Sequence, residues 1–424
     1  MKRYLILPVI LLGWLCNLSL TAQVVTLGEI QQKVASHYPA IARYEIIEKS
    51  KQFNLANASK AYLPQGTLSA QATWQSDVTR FNIELPEGMP PLDIPVPDQD
   101  QYRVVAELNQ LIWDGGAVSA RKKNLEAGAE VEKQQLEAEI YALRERVNNL
   151  FFGILLMQEQ LQQQEILEKE LQRNYDNVKS YMQNGLANEA DLSTVKVEQL
   201  KAGQQRISLE SSLTAYLKML SLLAGDSLHS YMNFVKPEVV ALSPVISRPE
   251  LQLFNAQEQA IESQQLLHKA GKMPKLGAFA QGGYGKPGLN MFDNQFSPYF
   301  LGGVRLTWNF SSLYTRKNEQ QQIDLQQQAV AIQRETFLHN LSVQIPQQQM
   351  EIEKFRKTMQ DDEEIIRHQT LIRKAAEVKV ENGTMSVSEL MQAINAEEAA
   401  KRVKSLHEIQ YLLSLYSLKH TTNQ

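Results

Sequence analysis

Residues 117–184 contain no proline, and within them Ile140, Leu143, Val147, Leu150, Ile154, Met157 and Leu161 step by three and four without a break. Such a stripe is the seam of a coiled coil. About 68 residues in one helix, at 1.5 Å each, reach roughly 100 Å. A single compact core has no use for a helix of that length, so the chain must span a distance. Asn184-Gly185 then marks a sharp turn, and a second helical pattern returns over 188–223.

The hairpin is made twice. "YMQNGLANEADLSTVKVEQL" (181–200) aligns with "KVENGTMSVSELMQAINAEE" (379–398), Asn184-Gly185 on Asn382-Gly383 and Asp191-Leu192 on Glu389-Leu390. The second pair of helical patterns covers 313–382 and 386–418, with Pro346 inside the first. Upstream, Pro39 and Pro64 bracket one helix-like stretch and Pro249 and Pro274 bracket another. Self-similarity of this kind points to a duplicated architecture. The upstream segments align at a larger offset than the turns, so the first copy carries an insertion. "LPEGMPPLDIPVPDQD" (85–100) holds five of the chain's 15 prolines and reads as a loop.

The segments beside that loop alternate. Leu68, Ala70, Ala72 and Trp74 interleave with Thr67, Ser69, Gln71, Thr73 and Gln75. Tyr102, Val104, Ala106 and Leu108 oppose Arg103, Glu107 and Asn109, with Val105 the exception. A period of two with one polar face predicts half-buried strands. The second copy repeats this less cleanly in Leu276, Ala278, Ala280 and Tyr284, then in Val304, Leu306, Trp308 and Phe310. The organisation expected is therefore a leader over 1–22, a first repeat over 23–224, an irregular connector over 225–247 and a second repeat over 248–424. The first repeat has a strand hairpin near 66–113 and a helical hairpin near 117–223. The second has a strand hairpin near 275–310, a helical hairpin near 313–418 and a short C-terminal tail.

Lys2 and Arg3, the apolar run after them and "LTA" ending at Ala22 read as a secretory signal. Cys16, the one cysteine, falls inside it, so neither disulfide nor thiol chemistry is expected. With 43 Lys and Arg against 47 Asp and Glu there is no basic patch for nucleic acid. Downstream of the leader no stretch of about 20 apolar residues offers a membrane helix, so strands would have to do any crossing. None of the seven histidines pairs with another His or a Cys at metal-ligand spacing, and they read as solvated helix residues. "DDEE" (361–364) reads as a solvated helix face, and "QGGYGKPG" lacks the lysine-hydroxyl pair of a phosphate loop. No catalytic, cofactor-binding or metal-binding residues stand out.

Taken with "LNQLIWDGG" (108–116), "NGLANEADLSTVKVEQL" (184–200), "SLLAG" (221–225) and "RPEL" (248–251), this order of elements resembles the TolC family of outer-membrane efflux proteins, over nearly the whole chain after the leader. The resemblance implies a mainly α chain with a membrane β-barrel. Long antiparallel coiled-coil hairpins would form a periplasmic tunnel, and four strands per protomer would enter a shared 12-stranded barrel of a homotrimer. It implies an exit duct in the outer membrane of a Gram-negative bacterium, meeting outer-membrane lipid. The duct would be served by a periplasmic adaptor and an inner-membrane transporter, proton-driven or ATP-driven. The periplasmic tips that meet the adaptor would be Gly185, Leu186 and Ala187 with Gly383, Thr384 and Met385. Asp191, Glu389 and Gln392 would be candidates for a pore gate. Asp191 and Glu389 also suit a helix N-terminus on charge alone. The sequence departs from the family in "SSLY" (311–314), which stands where the first copy has "WDGG", and in the glycine-rich strands of the second copy. The alternative is a periplasmic coiled-coil adaptor or scaffold, against which the alternating strands and the two hairpins argue.

Overall fold

A computed structural model describes residues 24–80, 89, 95–239 and 245–423. The expected leader, and most of the proline-rich loop, lie outside them. The chain divides into two compact units, each drawn from both sequence repeats. One comprises Met1–Pro39, Ala142–Ile246 and Val343–Gln424, the other Ala40–Tyr141 and Ser247–Ser342. Among the described residues no helix is long and apolar enough to cross a membrane.

The first unit is helical. It contains α1 (Leu27–His37), the later part of α3 (Ala117–Gln183), α4 (Glu189–Ala224), the later part of α6 (Arg316–Glu381) and α7 (Val387–Thr422). Thr26 starts α1 with a capping box, its hydroxyl accepting from Glu29 N–H and the Glu29 carboxylate accepting from Thr26 N–H. The α1 face bearing Ile30 and Val34 is buried among Phe151, Phe152, Leu220 and Ile409. Val147, Leu150 and Ile154 of the seam are in this core, and Leu143, Met157 and Leu161 pack against it. The irregular connector contributes one short strand, β4 (Asn233–Phe234), which runs parallel to β1 (Val24–Val25).

The second unit holds α2 (Ala42–Ser59), α5 (Pro249–Gly271), the early parts of α3 and α6, and a four-stranded antiparallel sheet. Its strands are β2 (Gln65–Trp74), β3 (Asp100–Trp113), β5 (Lys275–Lys286) and β6 (Ser297–Thr307), in the order β2-β3-β5-β6. The central ladder therefore joins the two repeats, β3 of the first to β5 of the second, and β2 and β6 are the edges.

Asp114 links β3 to α3. Its carboxylate accepts from Gly116 N–H (2.9 Å), Val118 N–H (2.6 Å) and the Tyr62 hydroxyl (3.0 Å). Burial alone would raise its pKa, but these three donors outweigh burial and hold the carboxyl below its usual value. "WDGG" is thus a helix-start motif: the Asp satisfies amide donors that the first turn of a helix leaves without partners.

Candidate functional site: a two-faced sheet and a pair of matched tips

Antiparallel partners directly across a ladder share a face, so the register assigns every strand residue to a side. On one side the rows read Ala70–Val104–Tyr284–Pro298, Leu68–Ala106–Gly282–Phe300 and Gly66–Leu108–Ala280–Gly302. No side chain in these rows is charged, and Leu68, Phe300, Val304 and Leu306 of this side are exposed. On the other side the rows read Gln71–Arg103–Gly285–Ser297, Ser69–Val105–Gly283–Tyr299, Thr67–Glu107–Gln281–Leu301 and Gln65–Asn109–Phe279–Gly303. Arg103 donates to Gln71 (2.9 Å) and Asn109 to Glu107 (3.0 Å). The strands are 10, 14, 12 and 11 residues long. About 9–11 suffice for a tilted strand to cross a bilayer core. Val105, the exception in the sequence pattern, is buried on the polar side next to Gly283, across which the Tyr299 ring lies. The Pro-linked aromatic end of β5 and β6 also carries a stack of Tyr284 on Phe296, with Tyr102 beside it.

The tips belong to the helical unit and are built alike. Gly185 (φ +75°) and Gly383 (φ +68°) follow the last turns of α3 and α6 in the left-handed conformation. Gly185 N–H donates to Met182 O and Leu186 N–H to Tyr181 O; Gly383 N–H donates to Val380 O and Thr384 N–H to Lys379 O. Both are Schellman closures, which glycine permits without strain. Asn184 and Asn382 each return a side-chain amide to the carbonyl four residues back. Then come two capping boxes, Asn188 with Asp191 and Ser386 with Glu389. The Ser386 N–H and hydroxyl reach the Glu389 carboxylate at 2.9 and 2.7 Å and hold its pKa below the usual value.

Of the expected tip residues, Ala187 and Met385 pack on a core of Val178, Val195, Leu390 and Ile394, whereas Leu186 and Thr384 are exposed. Glu389 and Gln392 share the exposed side of α7, opposite Leu390, Met391, Ala393 and Ile394. Asp191 is half-buried at the other tip.

One nearby cluster left no mark on the sequence pattern. Arg373 of α6 lies 2.7 Å from Glu170 of α3 and also pairs with Glu377 and with Glu397 of α7, whose other contacts are Thr370 and Lys401. Glu397 is 4% exposed at its side chain. Burial pushes the Glu170 carboxyl up. For Glu397 burial acts the same way, but hydrogen bonds from Lys401, Thr370 and Arg373 outweigh it and bring the pKa down. Between α3 and α6 a cleft of about 340 Å³ is lined by Glu170, Arg173, Tyr181, Arg373, Glu377 and Glu381. Farther along, Asp362 is buried and faces His407 of α7 at 2.9 Å. The expectation of a solvated "DDEE" face and of solvated histidines is therefore wrong at these two residues.

A sheet whose middle rows are apolar on one side and mostly polar on the other, in a chain of paired helical hairpins with matched tips, suits an outer-membrane channel with a helical periplasmic portion. Residues 31–226 match the family described as outer membrane efflux protein. The fold is shared with the Campylobacter jejuni CmeC outer membrane channel at 14% identity and a TM-score of 0.64, over 93% of this chain and 85% of that one. It is shared with the open state of the Neisseria gonorrhoeae MtrE outer membrane channel at 12% identity and 0.65, over 93% and 88%. The outer membrane protein VceC from Vibrio cholerae gives 14% and 0.59, over 93% and 95%. No curated protein sequence matches this one. The match over residues 31–226 and the shared fold support an efflux exit duct of the outer membrane.

Proposed function

We propose that three copies of the chain close one 12-stranded barrel, and that the assembly is a passive conduit that carries out no reaction of its own. The observation that carries this reading is the sheet: four membrane-length strands, one side apolar and exposed, and two edges without partners. Open edges are not tolerated in lipid, and closing a barrel removes them. The apolar rows then meet outer-membrane lipid and the polar rows line water. A second feature agrees. Leu325, Ile332, Val343 and Met350 of α6 are each more than 60% exposed, at spacings close to multiples of the coiled-coil period. A neighbouring copy would cover them.

In this reading the tips formed by Gly185, Leu186 and Ala187 and by Gly383, Thr384 and Met385 receive a periplasmic adaptor, and an inner-membrane transporter supplies the energy. Asp191, Glu389 and Gln392 form the gate near the threefold axis. The two sequence repeats, 23–224 and 248–424, each provide half of a protomer's share. Mass measurement of the purified protein in detergent tests the assembly: three chains per particle, surviving mild denaturation, is the expected result. A stable folded monomer would overturn it.

A further inference from the structure

The side of the sheet opposite the lipid-facing rows is polar on β2 and β3, Val105 apart, and mixed on β5 and β6, where Gln281 and Ser297 stand among apolar and glycine positions. There Tyr299, Leu301 and Phe279 occupy three successive rows, and Arg305 follows in the next, across from Gly277. The two rings lie flat because their cross-strand neighbours are glycines. A Cβ on Gly283 would stand 2.2 Å from the Tyr299 ring, and one on Gly303 would stand 3.2 Å from the Phe279 ring. The Arg305 guanidinium sits over Phe279, 4.6 Å from the ring centroid, and no acidic side chain is paired with it among the described residues. Leu301, between the rings, is 45% exposed. Gly283 of "GAFAQGGYG" and Gly303 of β6 thus do more than loosen the strand alternation: each seats a ring that a side chain would displace.

We propose that this stripe is a contact site for planar aromatic anions in transit through the barrel. It rests on the exit-duct reading, which turns this side of the sheet toward the lumen, and three copies would provide three stripes. The three two-residue steps between four rows give roughly 20 Å along the strand, long enough to pass a solute from one ring to the next. The tyrosine and leucine offer a flat apolar bed, and the uncompensated guanidinium offers a charged plane that both stacks and pairs with a carboxylate or sulfonate. Glu107 of β3, two rows from Arg305, accepts from Asn109, and no ion pair joins it to Arg305 among the described residues.

The test is block of the full-length assembly in planar bilayers, with probes added from the barrel side. 2-Naphthalenesulfonate should reduce the open-pore current at a concentration about tenfold below that needed for cyclohexanesulfonate, which has equal charge and no π face. Phe279→Leu and Tyr299→Leu keep an apolar cover over the glycines and should remove most of that difference in pores that still open. Arg305→Gln should weaken block by both anions. Equal block by the two sulfonates, or variants that conduct normally and are blocked as the parent is, would overturn the stripe and leave the duct standing. A parent protein that opens no pores would overturn the duct reading itself, and the stripe with it.

Discussion

Glu389 carries two readings that differ in what they require of the side chain. As the N3 residue of a capping box it must accept hydrogen bonds from Ser386, which a glutamine can also do. As one of three carboxylates near a threefold axis it must carry charge. Glu389→Gln separates the two and Glu389→Ala removes both. If the gate reading holds, both variants lose cation selectivity and block by multivalent cations in bilayers, while only the alanine variant loses thermal stability. If selectivity survives in both, Glu389 is a helix-start residue alone. The pH dependence has a definite sign: with the folded carboxyl below its ordinary value, the cap's contribution is complete at neutral pH and fades only as pH falls through that lowered value. Capping boxes are legible in sequence because all their atoms lie within four residues. Asp362 was not legible, since the histidine that accompanies its burial lies on another helix, 45 positions away. Asp114 falls between the two: "DGG" before a long helical stripe was a signal, but its Tyr62 partner comes from a distant segment.

At the scale of elements, the helices follow the apolar stripe closely. The pattern places them over 117–184 and 313–382, and they run Ala117–Gln183 and Arg316–Glu381. The strands are harder to read. β3 continues to Trp113 past the end of its clean alternation, through a register irregularity between Leu111 and Trp113. The faces of β5 and β6 emerge only from pairing, since glycines have no side chain with which to declare one. The ion cluster is likewise a property of packed elements. Arg373 is shared by carboxylates from α3, α6 and α7, so removing it leaves buried negative charge uncompensated. Arg373→Ala should cost about 3 kcal/mol at neutral pH. Glu170 already stands above its ordinary value with the guanidinium present, and losing the guanidinium raises it further, so protonation favours the folded variant more than the folded parent. The gap between variant and parent should therefore narrow from pH 7 to pH 5. Thermal unfolding of both proteins at the two values checks this, and a gap that widens toward pH 5 would contradict it.

For the whole molecule, the central ladder has a bearing on ancestry. Two similar sequence copies suggest that an ancestral single copy once stood alone, yet each compact unit draws on both copies, and the longest-paired strand of copy one finds its second neighbour in copy two. Copy one alone would be a lone strand hairpin with β3 unpaired on one side, which is marginal in water and prone to self-association. Fragments separated within residues 225–247 should therefore accumulate as aggregates when produced singly and recover membrane assembly when produced together, as membrane fractionation of the two cultures would report. Recovery would mean that covalent continuity between the copies is dispensable once their strands can meet. An ancestral half-length chain could then have built the same wall from six subunits, with duplication later fusing neighbours in pairs and freeing each copy to diverge, as "SSLY" has from "WDGG".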